Sequence, residues 1–244
     1  MQLKLNVPVI TLDGPSGTGK GTLCHMLAER LGWHFLDSGA IYRVLAYAVN
    51  QEGIAFDSID QLITLAHTLK LRFAVSQEGH SLIFLDDVEI SHQIRSEQCG
   101  QNASKIAVIS EVRVALLARQ RAFAVQPGLV TDGRDMGTVV FPDAILKIYL
   151  FASAEERAMR RYLQLQGMGN NASLAQVVDE LSKRDERDMG RMHSPLMPAD
   201  DAIQIDTTGL TIDQVFNNIL EWIKTRAKPG HIPIPPEDLG FFAT

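Results

Sequence analysis

Lys20 sits within a run of glycines, GPSGTGKGT at residues 14–22, and this combination suits the cradling of phosphate. Gly14, Gly17, Gly19 and Gly21, with Pro15, Ser16 and Thr18 between them, let successive backbone N–H groups turn inward around phosphate oxygens. Lys20 adds a mobile point charge for the outer phosphates. The general motif places Ser or Thr directly after the lysine, but here Gly21 occupies that place and Thr22 follows one position late. Thr22 is therefore the candidate magnesium ligand, directly or through water. The bland alternative, a glycine-rich turn with no ligand, leaves four glycines and a lysine in this context unexplained.

The other side chains able to do chemistry are acids and arginines. Asp132 and the Gly133-Arg134-Asp135 run follow a short apolar stretch, and an acid at a strand end opposite a phosphate loop can serve a magnesium shell. Two readings stand for each: Asp132 is a metal-shell group or a turn residue, and Arg134 with Asp135 is a functional pair or a structural ion pair. Ser38 and Arg43 open another helix, as a cap and a surface residue or as a second phosphate site. Arg157, Arg160 and Arg161 recur at i, i+3 and i+4, and Arg184, Asp188 and Arg191 at i, i+4 and i+7, so each set shares a helix face. A solvated face is the ordinary reading of such rows. Two such helices around a glycine-containing connection, GMGNNA at 167–172, also suit a lid that closes over a bound nucleotide.

The elements that must position these groups follow from periodicity. Residues 9–12 are mostly apolar, and Leu23, Leu27 and Leu31 recur at helical spacing, so strand, glycine loop and helix stand in the order of a P-loop. A short strand at 33–36 leads into the helix bearing Ser38 and Arg43, and Ser58 with Gln61 reads as a capping box for a helix reaching about residue 69. Stretches 71–75 and 82–85 read as strands joined by the turn SQEGH, an inserted β-rich patch. Helices are expected over 96–109 and 110–125, strands at 129–131, 145–151 and 202–205, and a last helix opened by Thr211 and Gln214. Ser153 with Glu156, and Ser173 with Gln176, read as two further capping boxes.

Composition bounds the rest. With 244 residues, 45% of them hydrophobic, the chain can bury one sizeable α/β core. Its formal charge of −6 argues against a nucleic-acid partner, so anions must be met by local clusters of Arg and Lys. Cys24 and Cys99 have no metal-ligand spacing and suit a reducing compartment. No apolar run reaches membrane-span length and no signal-peptide core opens the chain, so a cytoplasmic location without membrane association is expected. Nothing requires more than a monomer.

Several motifs now coincide in order: GPSGTGKGT, LDSGAIYR, ASKIA, VRVALLARQR, TDGRDMGTVVFPDA and RDERD. Together they resemble the bacterial cytidylate kinases, a nucleoside-monophosphate kinase family, over about residues 8–226. The resemblance implies an α/β, P-loop NTPase-type three-layer fold with a central parallel sheet. It also implies Mg2+-dependent phosphoryl transfer from ATP to CMP or dCMP. A single kinase domain over 1–226 would comprise a core (1–64, 105–152 and 198–226), an acceptor-binding insert at about 65–104 and a lid at about 153–197. Residues 227–244 would be an irregular tail.

On matching positions, residues 14–22 would hold the ATP phosphates, while Ser38, Tyr42 and Arg43 would sit in the acceptor pocket. Ser104 and Arg113 would help hold the cytosine and its phosphate, and Arg134 and Asp135 the acceptor phosphate and sugar. Asp188 and Arg191 would join acceptor recognition to lid closure, and Arg157 and Arg161 would face the donor. One departure is the run EQCGQN ahead of ASKIA, so Ser104 is placed by its nine-residue spacing to Arg113. Two alternatives remain: a related kinase for UMP, AMP or a non-nucleotide acceptor, and a nucleotide-dependent switch. The second lacks support, since the chain has no Asn-Lys-x-Asp element.

Overall fold

The computed structural model describes residues 7–75, 81–167, 169, 172–191 and 194–226. The turn 76–80, part of the 167–172 connection and the tail 227–244 lie outside the described residues. β1 (Val9–Asp13) runs through the glycine loop into α1 (Lys20–Leu31), and β2 (His34–Asp37) into α2 (Ser38–Gln51). α3 (Ile59–Thr68) then leads to β3 (Leu71–Val75), β4 (Ser81–Leu85) and β5 (Val88–Glu89), followed by α4 (Glu97–Ile106) and α5 (Ser110–Ala122). β6 (Leu129–Gly133), β7 (Leu146–Phe151), the helix pair α6 (Ala154–Gly167) and α7 (Leu174–Met189), β8 (Ile203–Asp206) and α8 (Ile212–Arg226) complete the order.

Five parallel strands form one sheet in the order β2-β6-β1-β7-β8, and β3-β4-β5 form a separate antiparallel one. Adjacent residues on a strand point to opposite faces, so the partners of Leu129 and Val130 reveal the layers. Leu129 joins a core with Ile41, Leu45, Leu62 and Leu116 of α2, α3 and α5. Val130 joins Leu23, Leu27, Val215 and Ile219 of α1 and α8. Helices thus cover both faces, as an all-parallel sheet requires. A small third core, Ala158, Leu165, Val177 and Leu181, joins α6 to α7.

Register brings the chemistry to one edge. Asp13 lies beside Gly133, and Asp37 beside Asp132, at the carboxyl ends of their strands. This is the edge at which open parallel sheets bind ligands, and the glycine loop leaves from it.

Local details differ from the sequence-based expectations. The expected helix over 96–109 ends at Ile106, because residues 107–109 turn the chain so that Ile109 precedes α5. Asp37, not Ser38, caps α2, accepting the Ala40 N–H at 3.0 Å. Ser58 precedes α3 but makes no capping hydrogen bond. Half of the Ser153–Glu156 box forms: the Glu156 N–H donates to Ser153 Oγ at 3.2 Å, while the Ser153 N–H donates to Thr208 Oγ1. The Ser173–Gln176 and Thr211–Gln214 boxes close in both directions. A π-helical turn, Met136–Val140, follows the Arg134-Asp135 pair and has no periodic signature in the sequence.

Leu12, fully buried on β1, tests this arrangement. Leu12→Ala is expected to cost about 2–5 kcal/mol in chemical denaturation, and a loss below about 1 kcal/mol would contradict the central placement of this strand.

Candidate active site

A cleft of about 840 Å3 opens above the carboxyl ends of β1, β2 and β6. The glycine loop forms its floor through Ser16, Gly17, Gly19, Lys20, Gly21 and Thr22. α2 contributes Ser38, Tyr42 and Arg43, α4 contributes Ser104, and α5 contributes Arg113. Asp132, Arg134 and Asp135 line the centre, with Arg160, Arg161, Arg184, Asp188 and Arg191 toward the helix pair. In all, nine Lys and Arg side chains and four carboxylates line the cleft, an electropositive site on a chain of net charge −6. Such a cleft favours a polyanion.

The arginines are held by carboxylates and carbonyls. Arg134 Nε donates to Asp188 Oδ2 at 2.8 Å, and Asp188 also pairs with Arg191. Arg113 pairs with Asp135, donates to the Ala107 carbonyl at 3.1 Å and lies over the Tyr42 ring. Arg161 pairs with Glu97 of α4 at 2.9 Å. Arg43 Nη1 donates to the Ile94 carbonyl at 2.7 Å and packs closely on Gly100, where a Cβ would lie 2.7 Å from its guanidinium. Burial would raise the Asp188 pKa, but Arg134 and Arg191 hold it below the ordinary carboxylate range.

The buried charges near the loop are shifted toward neutrality. Burial, reinforced by Arg134, pushes Lys20 down to about 7, and its Nζ meanwhile donates to the Pro15 carbonyl at 2.6 Å. Burial, reinforced by Asp37, pushes Asp132 up to about 8. Burial also pushes Asp13 up to about 6, against two backbone N–H bonds that pull it down. Of these, Lys20 and Asp132 line the cleft, and perturbed groups facing one cleft point to a functional site. Tyr42 OH, Ser104 Oγ, Asp132 Oδ1, Arg113 Nε and Arg191 Nε are also buried without a partner among the described residues. Orphaned polar atoms are costly, and here they line a cleft where a ligand can satisfy them.

Some candidate residues lie outside the lining. Gly14 packs against β7, where a Cβ would fall 2.0 Å from the Leu150 carbonyl oxygen, so this position holds the loop down. Pro15 presents its carbonyl to Lys20, and the Thr18 hydroxyl donates to that same carbonyl at 3.1 Å. Arg157, expected to face the donor, instead donates to the Ser16 carbonyl at 3.2 Å and pairs with Asp185 at 2.6 Å. It clamps the glycine loop to α7, while Arg160 and Arg161 line the cleft. Arg191 lies just past the end of α7 rather than on its face. Sequence reasoning placed Arg184 on a lid face without assigning it to the site, yet it lines the cleft beside Ser16. It also passed over Asp13, whose signal was an acid directly between an apolar strand and the glycine loop.

A family model described as cytidylate kinase matches residues 10–225. A cytidylate kinase of Nitrosococcus oceani is 56% identical over 218 residues, covering 89% of this chain and 96% of that protein. One from Stutzerimonas stutzeri is 52% identical over 225 residues, covering 92% and 98% respectively.

The Lys20 shift has a measurable consequence for stability. The charged form is penalised in the folded state, so below pH 7 the wild type carries the full cost of a buried ammonium. Between about 7 and the unfolded value of 10.5 the folded protein sheds that proton first, and the cost is relieved. Without nucleotide, Lys20→Met should therefore unfold at higher temperature than the wild type at pH 6, with the gain shrinking as pH rises toward 10. A pH-independent difference in melting temperature would contradict the shift.

Proposed function

The chain belongs to the cytidylate kinase family, and from that membership we propose that it transfers the terminal phosphoryl group of ATP to CMP and dCMP, giving ADP and CDP or dCDP. The observation that carries this reading is the cleft itself, where a glycine loop with Lys20 faces a second cationic wall with unpartnered polar atoms. One wall suits a donor triphosphate and the other an acceptor nucleotide.

The acceptor atom is a phosphate oxygen, already anionic near neutral pH, so no general base is required. Catalysis then rests on in-line positioning and on stabilising charge that spreads over the transferring group. The residue 14–22 loop holds the donor phosphates through its amides, with Lys20 moving from the Pro15 carbonyl to the outer phosphates. Ser38, Tyr42, Arg43, Ser104 and Arg113 serve the acceptor. Arg134 and Asp135 act at its phosphate and sugar, and Asp188 and Arg191 connect that pocket to the lid. Arg161 and Arg184 supply charge from the lid side, while Arg157 positions the glycine loop. The insert at about 65–104 forms the acceptor side, and residues 153–197 form the lid.

The donor set suits magnesium. Asp132 has an unpartnered buried oxygen, and Thr22 lines the same cleft. Among the described residues no cluster of three or more His, Cys, Asp or Glu gathers to hold a metal alone. That composition suits Mg2+, which takes one or two protein oxygens and fills its shell with water and phosphate. Thr22 and Asp132 would hold the ion, directly or through water. When bound, it neutralises charge on the donor phosphates. Among the described residues no helix is long and apolar enough to cross a membrane. A monomer working in the cytoplasm, without a nucleic-acid partner, completes the proposal.

ADP release with ATP and Mg2+ across CMP, dCMP, UMP, AMP, GMP and dTMP tests the reading, with strong preference expected for CMP and dCMP. Preference for another acceptor would keep the transfer chemistry and remove the cytosine assignment, and no turnover at all would remove both. Lys20→Ala should lower kcat by about 100-fold or more while leaving CMP binding near wild type. Arg134→Ala should weaken CMP by about 10- to 100-fold and ATP much less, as loss of a charged hydrogen bond predicts. A larger effect on ATP would move Arg134 to the donor side.

A further inference from the structure

The end of β1 carries a buried carboxylate that the transfer mechanism above does not use. Asp13 is 4% exposed and directly precedes Gly14. Its Oδ1 accepts the Met136 N–H at 2.9 Å and its Oδ2 accepts the Gly137 N–H at 2.7 Å. Those amides open the π-helical turn that follows Arg134 and Asp135. The β1–β6 ladder ends where Asp13 meets Gly133, so beyond that point the carboxylate is what ties the two segments together.

Both ends of this strap are held by close packing. Gly14 abuts the Leu150 carbonyl, and at Gly137 a Cβ would come within 2.9 Å of Thr11 Oγ1 on β1. The charged and titratable groups around Asp13 are Lys20 and Cys24 of α1, Asp132 and Asp135 at the end of β6, and Tyr149 of β7. Two N–H donors aimed at two oxygens call for a short carboxylate: an amide accepts on one side only and presents an NH2 to the other.

Resting on the transfer reading above, we propose that Asp13 is a positioning residue: it sets the spacing between the donor loop and the acceptor-side pair Arg134–Asp135, and thereby the alignment for in-line transfer. Misplacement by about 1 Å can cost about 100-fold in rate. A spacer between two subsites should therefore act on kcat more than on the affinity of either nucleotide.

The test is Asp13→Asn, nearly identical in size, assayed for kcat, for the KM of ATP and of CMP, and for its melting temperature. The expected result is kcat lower by about 10- to 100-fold with each KM within about threefold of wild type. A merely structural role would lower the melting temperature and leave kcat per folded molecule unchanged, which overturns the proposal. So does a loss expressed only in the KM of CMP. If the amide variant does not fold, Asp13→Glu, which keeps both acceptor oxygens on a longer arm, is read under the same assay. In the wild type, the Met136 and Gly137 amides should exchange slowly with solvent, and exchange at open-loop rates refutes the strap without any variant. Wild-type turnover separates the two claims: an inactive wild type refutes the transfer reading, whereas an active wild type with an undiminished Asp13→Asn refutes only the role of Asp13.

Discussion

Like charges crowded into a low-dielectric cleft repel one another, and this constraint shapes the whole site. Arg113, Arg134, Arg161 and Arg191 all line one cleft, and each has a carboxylate partner that keeps it from being an isolated buried charge. Asp188 serves two of them, which is why it stays ionised despite its burial. Lys20 has no such direct ion pair among the described residues and leans on the Pro15 carbonyl, with burial and the repulsion of Arg134 both acting against its charge. The cleft is therefore preorganised for phosphate at a cost in its own stability, a common arrangement at active sites.

That preorganisation depends on β1. The strand is central in the sheet, with β6 on one side and β7 on the other. Its end therefore meets both the Asp132–Asp135 segment and the glycine loop. Leu12 and Ile10 lock it into one core, while the loop itself is pressed against β7 at Gly14 and against Arg157 at Gly17. The helix pair on the outer side of the cleft is held differently. α6 and α7 share a core of their own and reach α4 through polar contacts such as Arg161–Glu97 and Arg187–Gln101. Contacts of this kind can be broken without unpacking an apolar layer.

Some of this was legible in the residue order. The P-loop could be read because strand, glycines, lysine and helix are contiguous and each leaves a local mark. The strands and helices could be read from apolar runs alternating with helical periodicity, whereas the parallel sheet was implied by the family resemblance. The limits of reading were equally physical. The break after Ile106 carries no Gly or Pro, since it is made by how α4 and α5 pack. The π-helical turn at Met136 depends on an Asp13 carboxylate far earlier in the chain. Arg157 and Arg161 share a helix face by spacing, yet one grips the Ser16 carbonyl and the other crosses to α4.

The sequence alone thus determined the phosphate loop, the alternating α/β order and the set of side chains able to meet anions, because those properties are encoded within single elements. The tertiary structure decided which arginine pairs with which carboxylate, which of them reach the cleft, and that the Asp13 carboxylate, next to the glycine loop, accepts the Met136 and Gly137 amides. Those outcomes depend on distances between elements remote in the chain, such as residues 13 and 136 or 97 and 161. Spacing along one helix or strand carries no information about them, because the sheet register and the packing of the layers set those distances.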